Sequence, residues 1–364
     1  MPATLEDVAK QTGFSIATIS RVVNGAEGVS ADVRTSVEKA VVELGYVARR
    51  GRTAPTSERK ERLIEVILHR RSHIEPIKSS PTGVAIGPVT AAAPETLLSR
   101  SAELTNDFYR SILDGILDEI RAQGGKAIVQ VVSDLTSPAV LAGLTDELDG
   151  VLLVGEGGPG LASFRSGCQH PLVLVDILHG EGAHEVVTTD NFVGIGQAVE
   201  HLANLGHRRV GYVAGLDDTV GKERAAAFRF HALRLGLTVP PAWLSVPYDS
   251  IVGTTERLQT LLTQSDRPTG LACCNDWGAL AVTRAAAHAG LRIPHDLSVV
   301  GFDDALIASL TTPPLTTVHV SADAIGRMAV RLIVTQRSRS ASGCTVRIPT
   351  HLIVRGSTAA PASP

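Results

Sequence analysis

Thr4-Leu5-Glu6-Asp7-Val8-Ala9, then Gly13-Phe14-Ser15, then Thr18-Ile19-Ser20-Arg21-Val22-Val23-Asn24: these residues decide how the chain is built. Leu5, Val8 and Ala9 recur at helical spacing and make one small apolar face. Thr12-Gly13 ends that helix, and Gly13 tolerates the positive φ of a tight turn. Ser15 is placed to cap a second helix by accepting from the free amides of its first turn. Ile19, Val22 and Val23 continue an inward stripe, while Ile16, Ala17, Ser20 and Arg21 lie on other faces. Asn24-Gly25 suits a left-handed C-cap. Ser30 caps a third helix, and Asp32 in its first turn complements the helix dipole. Val33, Val37, Ala40, Val41 and Leu44 give that helix an apolar face, and Gly45 stops it.

Three short helices around one small core predict a helix-turn-helix unit, whose second helix enters the DNA major groove. Ser15 to Thr18 then face base edges, with Arg21 one turn further on. An arginine paired with guanine O6 and N7 contributes about 1–3 kcal/mol of discrimination. Ile16 and Ala17 offer only apolar contacts, for example to thymine methyls. Spacing alone leaves a second reading open, a three-helix protein-binding module.

The segment Thr4 to Tyr46 resembles the DNA-binding head of the LacI/GalR family of transcriptional regulators. The matching residues are Thr4-Leu5-x-Asp7-Val8-Ala9, Gly13-Phe14-Ser15-x-x-Thr18-Ile19-Ser20-Arg21-Val22-Val23-Asn24, Val29-Ser30-x-x-x-Arg34 and Leu44-Gly45-Tyr46. The resemblance implies that Ile16, Ala17 and Arg21 choose the operator sequence. It also implies that Thr4, Leu5, Ser15, Thr18, Asn24, Ser30, Arg34, Tyr46 and Arg49 hold the DNA backbone or pack the head.

At 364 residues the chain is too long for one ordinary domain, and its 44% hydrophobic content supports a large core. It has no apolar run of membrane-spanning length and no charged-then-apolar leader at its start, so a cytoplasmic protein is expected. Cys168, Cys273, Cys274 and Cys344 show no C-x-x-C spacing and read as buried small apolar residues. No metal, cofactor or catalytic residue is expected. The net charge is −3, yet residues 1–62 hold ten Lys/Arg against eight Asp/Glu. A positive head on an acidic body directs DNA phosphates to one end.

Residues 1–47 are assigned to the head and 48–62 to a basic linker. LacI-family members place a hinge helix here, with a leucine that wedges the minor groove. In this chain Ala48-Arg49 fits, the leucine is absent, and Gly51 and Pro55 disfavour a helix. The linker is therefore expected to bend the operator less, its arginines lying in the minor groove, against phosphates, or on a disordered tether.

Strand-like and helix-like segments alternate from Leu63 onward. Strands are expected at 63–68, 127–132, 151–154, 172–175, 209–213, 271–273 and 297–300. Helices are expected at 108–123, 138–147, 191–205, 220–235, 254–263 and 276–289. Such alternation predicts parallel sheets with helices on both faces, hence two Rossmann-like lobes. The full expectation is an all-α helix-turn-helix head followed by a two-lobe α/β, periplasmic-binding-protein-like effector domain. Asp190-Asn191-x-x-Gly194, His201-Leu202-x-x-Leu205-Gly206-His207-Arg208-Arg209-Val210, Cys274-Asn275-Asp276, Ser298-Val299-Val300-Gly301-Phe302-Asp303-Asp304 and Pro314-Leu315-Thr316-Thr317-Val318 carry this part of the resemblance. It implies crossings between lobes near 188, 319 and 343. The N-terminal lobe is then 63–188 plus 319–342 and the C-terminal lobe 189–318 plus 343–358. A tail, 359–364, lacks leucine heptads, so a homodimer is expected. The stretch 69–105 reads as an insertion, with a short strand at 82–89 and either a lid over the cleft or surface decoration.

Ligands of open α/β sheets collect beyond the carboxyl ends of the strands. Asp176, Arg224, Asn275 and Asp303 fall there, and two carboxylates, an arginine and an amide suit the hydroxyls of a sugar. Phe108 and Trp277 are the aromatic platforms of choice, with Tyr109 and Tyr248 as further candidates. Asp303 could instead stabilise a turn with Asp304, and Arg224 could pair with Glu223. Asp190 and Asn191 read as a helix cap and an interlobe strut. The resemblance implies a repressor that binds double-stranded, pseudo-palindromic operator DNA and is released by a small-molecule effector, a sugar first. Purine or nucleoside sensing, corepression and activation remain alternatives, as does a sugar receptor without DNA output. An enzyme using His201, His207 or His288 is the competing class; no phosphate loop or nucleophile elbow accompanies them, and His207-Arg208-Arg209 reads as surface chemistry.

Overall fold

The structure is a computed structural model that describes residues 5–23, 30–44, 62–69, 107–178, 184–215, 218–248, 250–335 and 343–362. Thr4, Asn24, Tyr46, Arg49, the linker 48–61 and the insertion from 70 to 105, with its expected strand at 82–89, lie outside them. The chain divides into two units, 1–60 and 61–364.

The first unit holds α1 (Leu5–Thr12), α2 (Ile16–Val23) and α3 (Ala31–Glu43). Val8, Ile19, Val22, Val37 and Ala40 form its buried core, with Phe14 and Leu44 packed against it. Gly13 turns at φ 70°, as its position requires. The Ser15 hydroxyl oxygen accepts from the Thr18 amide at 3.2 Å and caps α2. The side chains of Leu5, Ala17, Ser20, Arg21 and Val23 are outside the described set.

In the second unit, β1 (Leu63–His69), α4 (Asp107–Ala122), β2 (Lys126–Val132), α5 (Pro138–Ala142), β3 (Gly150–Gly155), α6 (Leu161–Gly167), β4 (Leu172–Val175) and β5 (Glu185–Thr189) build the N-terminal lobe. The chain then forms α7 (Asn191–Asn204), β6 (Val210–Ala214), α8 (Thr219–Arg234), β7 (Val246–Pro247), α9 (Ile251–Leu262), β8 (Gly270–Cys273), α10 (Asp276–His288), β9 (Ser298–Asp303), α11 (Leu306–Leu310) and β10 (Thr316–Val320). It returns through α12 (Ala322–Thr335), β11 (Thr345–Ile348) and β12 (Thr350–Ile353). The two sheets run β11-β5-β4-β3-β1-β2 and β12-β10-β9-β8-β6-β7. All pairings are parallel except β10–β12. Near-continuous Val/Leu/Ile strands such as Val151-Leu152-Leu153-Val154, with both faces covered, give this arrangement.

The chain passes from the first sheet to the second at Asp190 and returns after Val320. The third crossing falls at Pro349 rather than near 343, because β11 pairs in register with β5 and only β12 joins the second sheet. Val186 N already donates to Cys344 O at 2.8 Å, so residues 344–348 belong to the N-terminal lobe. Two further expectations are corrected. The helix at 138 stops at Ala142 instead of 147, since Gly143 leads into a turn closed by Leu148 N to Thr145 O. His69, expected to open the insertion, completes β1. The segment after Thr358 docks: Ala359 exchanges backbone bonds with the Ser298 hydroxyl, and Ala359 O accepts from His207. No helix among the described residues is long and apolar enough to cross a membrane.

Helices α4 and α12 cross so closely that a Cβ on Gly115 would stand 2.1 Å from Asp323 O, and one on Gly326 2.1 Å from Ile112 O. Backbone cannot yield as a flexible side chain can. Gly326→Ala is therefore expected to destabilise the second unit by about 1–3 kcal/mol, read as a lower urea midpoint at unchanged m-value. An unchanged midpoint contradicts this packing.

Candidate effector cleft

Three strand ends and one helix supply the polar groups of one site. Asp176 follows β4 in the N-terminal lobe; Cys274-Asn275 follow β8, and Asp303 ends β9 in the C-terminal lobe. Arg224 comes from α8 and is 6% exposed. Its Nε donates to Asn191 Oδ1 at 2.7 Å, and one terminal nitrogen donates to Cys274 O at 2.6 Å and Asp303 Oδ1 at 3.3 Å. The guanidinium lies 3.9 Å from the centroid of the Phe302 ring, a cation–π contact. Burial works against its charge, but Asp303 and then Asp176 more than offset this, and its pKa stands above the usual arginine value.

The acids respond in the opposite sense. Burial pushes Asp176 up to about 7, with Arg224 opposing and Asp303 and Asp218 adding to the rise. Burial pushes Asp303 up to about 6 against the pull of Arg224. The Tyr109 hydroxyl donates to Asp176 Oδ2 at 3.4 Å, and Thr188 Oγ1 donates to Asp176 Oδ1 at 3.4 Å. Burial and the charges of Asp176, Glu156 and Asp218 raise the Tyr109 pKa well above its ordinary value. Arg224 also acts on Tyr109, so groups of both lobes converge here.

The backbone marks the same place. Asp176 (φ 57°), Asp303 (φ 98°) and Asp304 (φ 55°) are the positive-φ residues other than glycine among the described residues. Short aspartate side chains tolerate this region, yet it costs free energy and gathers at functional sites.

Not every expected residue serves alike. The Asn275 carboxamide oxygen accepts from Gly278 N at 2.8 Å and caps α10. Trp277 is half-buried in the first turn of that helix. Phe108 packs in the core at 8% exposure, and Tyr109, one position on, turns its hydroxyl to Asp176. Asp304 holds Arg355 at 2.6 Å and His319 at 2.9 Å. Asp276, fully buried, accepts from Thr317 Oγ1 and Ala305 N and braces the turn after β9. Asp190 caps α7, as expected. Asn191, read as a strut, holds the arginine itself. Its signal was present, since Asn191 follows the first crossing. His207 is corrected from surface to core: it is 1% exposed and bonds Thr269 and Ala359. His201 bonds Thr358 and His288 bonds Gln259, so these histidines are structural. Cys168, Cys273 and Cys274 are buried, whereas Cys344 is exposed. No group of metal-ligating residues gathers among the described residues.

In the head, Ile16 is 47% exposed at the start of α2. Ser15 and Thr18 share a hydroxyl–hydroxyl bond of 2.9 Å. Ser30 O accepts from Arg34 N at 3.0 Å, opening α3.

A cleft between two parallel-sheet lobes, on a chain that starts with a helix-turn-helix, defines a ligand-responsive DNA-binding protein. Residues 4–48 match the family "Bacterial regulatory proteins, lacI family", and residues 199–358 match "Periplasmic binding protein-like domain". The chain is 28% identical over 367 residues to the HTH-type transcriptional repressor CytR of Escherichia coli, covering 98% of this chain and 97% of that one. It is 27% identical over 371 residues to the repressor PurR of Haemophilus influenzae, covering 98% of each. Among solved structures, a complex of the transcriptional regulator CelR with cellobiose is 25% identical at TM-score 0.65, covering 98% of this chain and 99% of that one. A lac repressor dimer bound to operator and the anti-inducer ONPF shares the fold at 24% identity and TM-score 0.65, covering 99% of this chain and 100% of that one. The chain therefore joins a LacI-family helix-turn-helix DNA-binding domain to a periplasmic-binding-protein-like effector domain, the build of the LacI-family transcriptional regulators, a non-enzymatic family.

The raised carboxyls make a pH prediction. Asp176 and Asp303 bind protons more tightly folded than unfolded, so the folded state holds more protons between about pH 4 and 7. Their contribution to stability is therefore greatest below about pH 4 and falls as pH rises through about 7. Asp176→Asn with Asp303→Asn should flatten that fall, measured by urea denaturation across this range; an unchanged slope contradicts the assignment.

Proposed function

We propose that this chain is a homodimeric repressor that holds a pseudo-palindromic operator and releases it when a sugar binds between its lobes. The observation that carries the ligand class is the grouping of Arg224, Asp303 and Asp176 with the Tyr109 hydroxyl. Carboxylates accept from sugar hydroxyls and the guanidinium donates to them, so neighbouring hydroxyls are gripped in both senses. The carboxylates acting on this space outnumber its one arginine, which favours a neutral hydroxylated ligand over a phosphorylated one. Asn275 offers its amide from the rim, and Trp277 a ring face against which a sugar can stack.

The DNA side rests on α2. Arg21 pairs with a guanine, Ile16 and Ala17 contact thymine methyls, and Ser15, Thr18, Ser30 and Arg34, with Thr4, Leu5, Asn24, Tyr46 and Arg49, hold phosphates or pack the head. Sugar binding changes the angle between the lobes and with it the spacing of the two heads. Its leverage equals its differential affinity for the two arrangements.

A thermal-shift screen tests the ligand class with monosaccharides, cellobiose, phosphorylated sugars, purines and nucleosides. A neutral sugar should raise Tm, by the equivalent of about 2.7 kcal/mol at a hundredfold excess over Kd, and Asp303→Asn should abolish the shift. A shift with nucleosides alone overturns the sugar reading. On the DNA side, Arg21→Ala should weaken retention of a specific duplex by the equivalent of about 1–3 kcal/mol; retention equal to the parent contradicts the assigned contact.

A further inference from the structure

Arg224 is not held by its own lobe alone. The Asn191 carboxamide oxygen accepts from Arg224 Nε at 2.7 Å, and the same amide donates through Nδ2 to Glu223 Oε2 at 2.8 Å. The other oxygen of Glu223 meets Arg347 at 2.8 Å. Arg347 lies on β11, which pairs with β5 in the N-terminal lobe, while Glu223, Asn191 and Arg224 stand on α8 and α7 of the C-terminal lobe. One continuous polar chain therefore runs from Arg347 across the lobe boundary to Arg224 and on to Asp303.

The chemistry of each link fixes its direction. A carboxylate only accepts, so the NH2 of Asn191 must face Glu223. A guanidinium only donates, so the oxygen of Asn191 must face Arg224. The amide has one orientation that satisfies both neighbours, and Asn191 is fully buried, out of reach of bulk solvent. Glu223 is the pivot. With Arg347 on one oxygen it keeps the other on Asn191; without Arg347 it loses that cation and stands one residue from Arg224 in sequence.

We propose that Glu223 and Arg347 are positioning residues of the cleft. Arg347, on one lobe, sets the amide of Asn191 through Glu223, and that amide aims Arg224, on the other lobe, toward the ligand. The cleft's cation is then held in register only while the lobes are closed. Opening breaks the Arg347–Glu223 pair, the link of this chain of bonds that joins the two lobes. A residue that touches no ligand thus ties the aim of Arg224 to the angle between the lobes. The proposal rests on the cleft being the effector site, but its test needs no effector.

Hydrogen exchange of the full-length chain, followed by mass spectrometry, reads the chain of bonds directly. In Arg347→Glu, and more mildly in Glu223→Gln, exchange should rise at least about threefold at the first turns of α7 (residues 191–195) and α8 (219–225). Arg347→Lys, which keeps the charge, should stay closer to the parent than Arg347→Glu. Arg331→Glu, which breaks the Arg331–Glu119 pair inside the N-terminal lobe, should leave both turns at parental rates. Parental exchange at α7 in Arg347→Glu, an equal rise in Arg331→Glu, or no benefit from lysine overturns the proposal. The sugar screen decides separately whether the cleft takes an effector.

Discussion

A single buried guanidinium sets the terms for the second unit. Arg224 is charged in a place where an isolated charge would be untenable, and everything around it answers that problem. Asn191 and Cys274 O accept from two of its nitrogens, Phe302 gives it a ring face, and Asp303 and Asp176 supply the counter-charge. These partners come from α7, the end of β8, the end of β9 and the end of β4. Satisfying one arginine therefore fixes how four elements of two lobes meet. The same arrangement leaves the acids of the site in surplus, with Asp176 and Asp303 titrating near neutrality. A ligand that donates hydrogen bonds to those carboxylates relieves that surplus.

Backbone geometry agrees with the electrostatics. Strain at Asp176, Asp303 and Asp304 lies where two strands end at the cleft, and their neighbours hold it in place. Asp304 is tied to Arg355 and His319, and Asp276 bridges the following turn to β10. These bonds need nothing from a ligand. They make a rigid floor on which Asp303 is presented, so the adjustable parts are the angle between lobes and the side chains that span it.

Much of this was legible in the sequence because periodicity reports burial. Runs such as Val151-Leu152-Leu153-Val154 read as strands covered on both faces, and the cap at Ser15 and turn at Gly13 were written in residue type. Asp176, Arg224, Asn275 and Asp303 were singled out by place, since strand ends collect ligands. What depended on tertiary contact was not legible. Phe108 and Tyr109 are adjacent and both aromatic, and only helix rotation against the sheet decides which one reaches Asp176. The third crossing shifted to Pro349 because β11 pairs with β5, a partner more than 150 residues earlier in the chain. His207 looked like a surface residue beside Arg208 and Arg209 until the segment at Ala359 covered it. The Arg347–Glu223–Asn191 link left no pattern in the sequence, for it joins residues from three separate segments.

The head and the cleft together claim that a two-fold pair of DNA readers is governed by a ligand between lobes. Selection of random-sequence duplexes by the full-length chain tests that claim most directly, with the retained pool re-measured in the presence of the sugar that shifts Tm. The predicted result is an inverted repeat whose half-sites lie one helical turn apart, retained without the sugar and released with it. Enrichment of a single unpaired half-site, or an inverted repeat whose retention is indifferent to the sugar, would contradict the account.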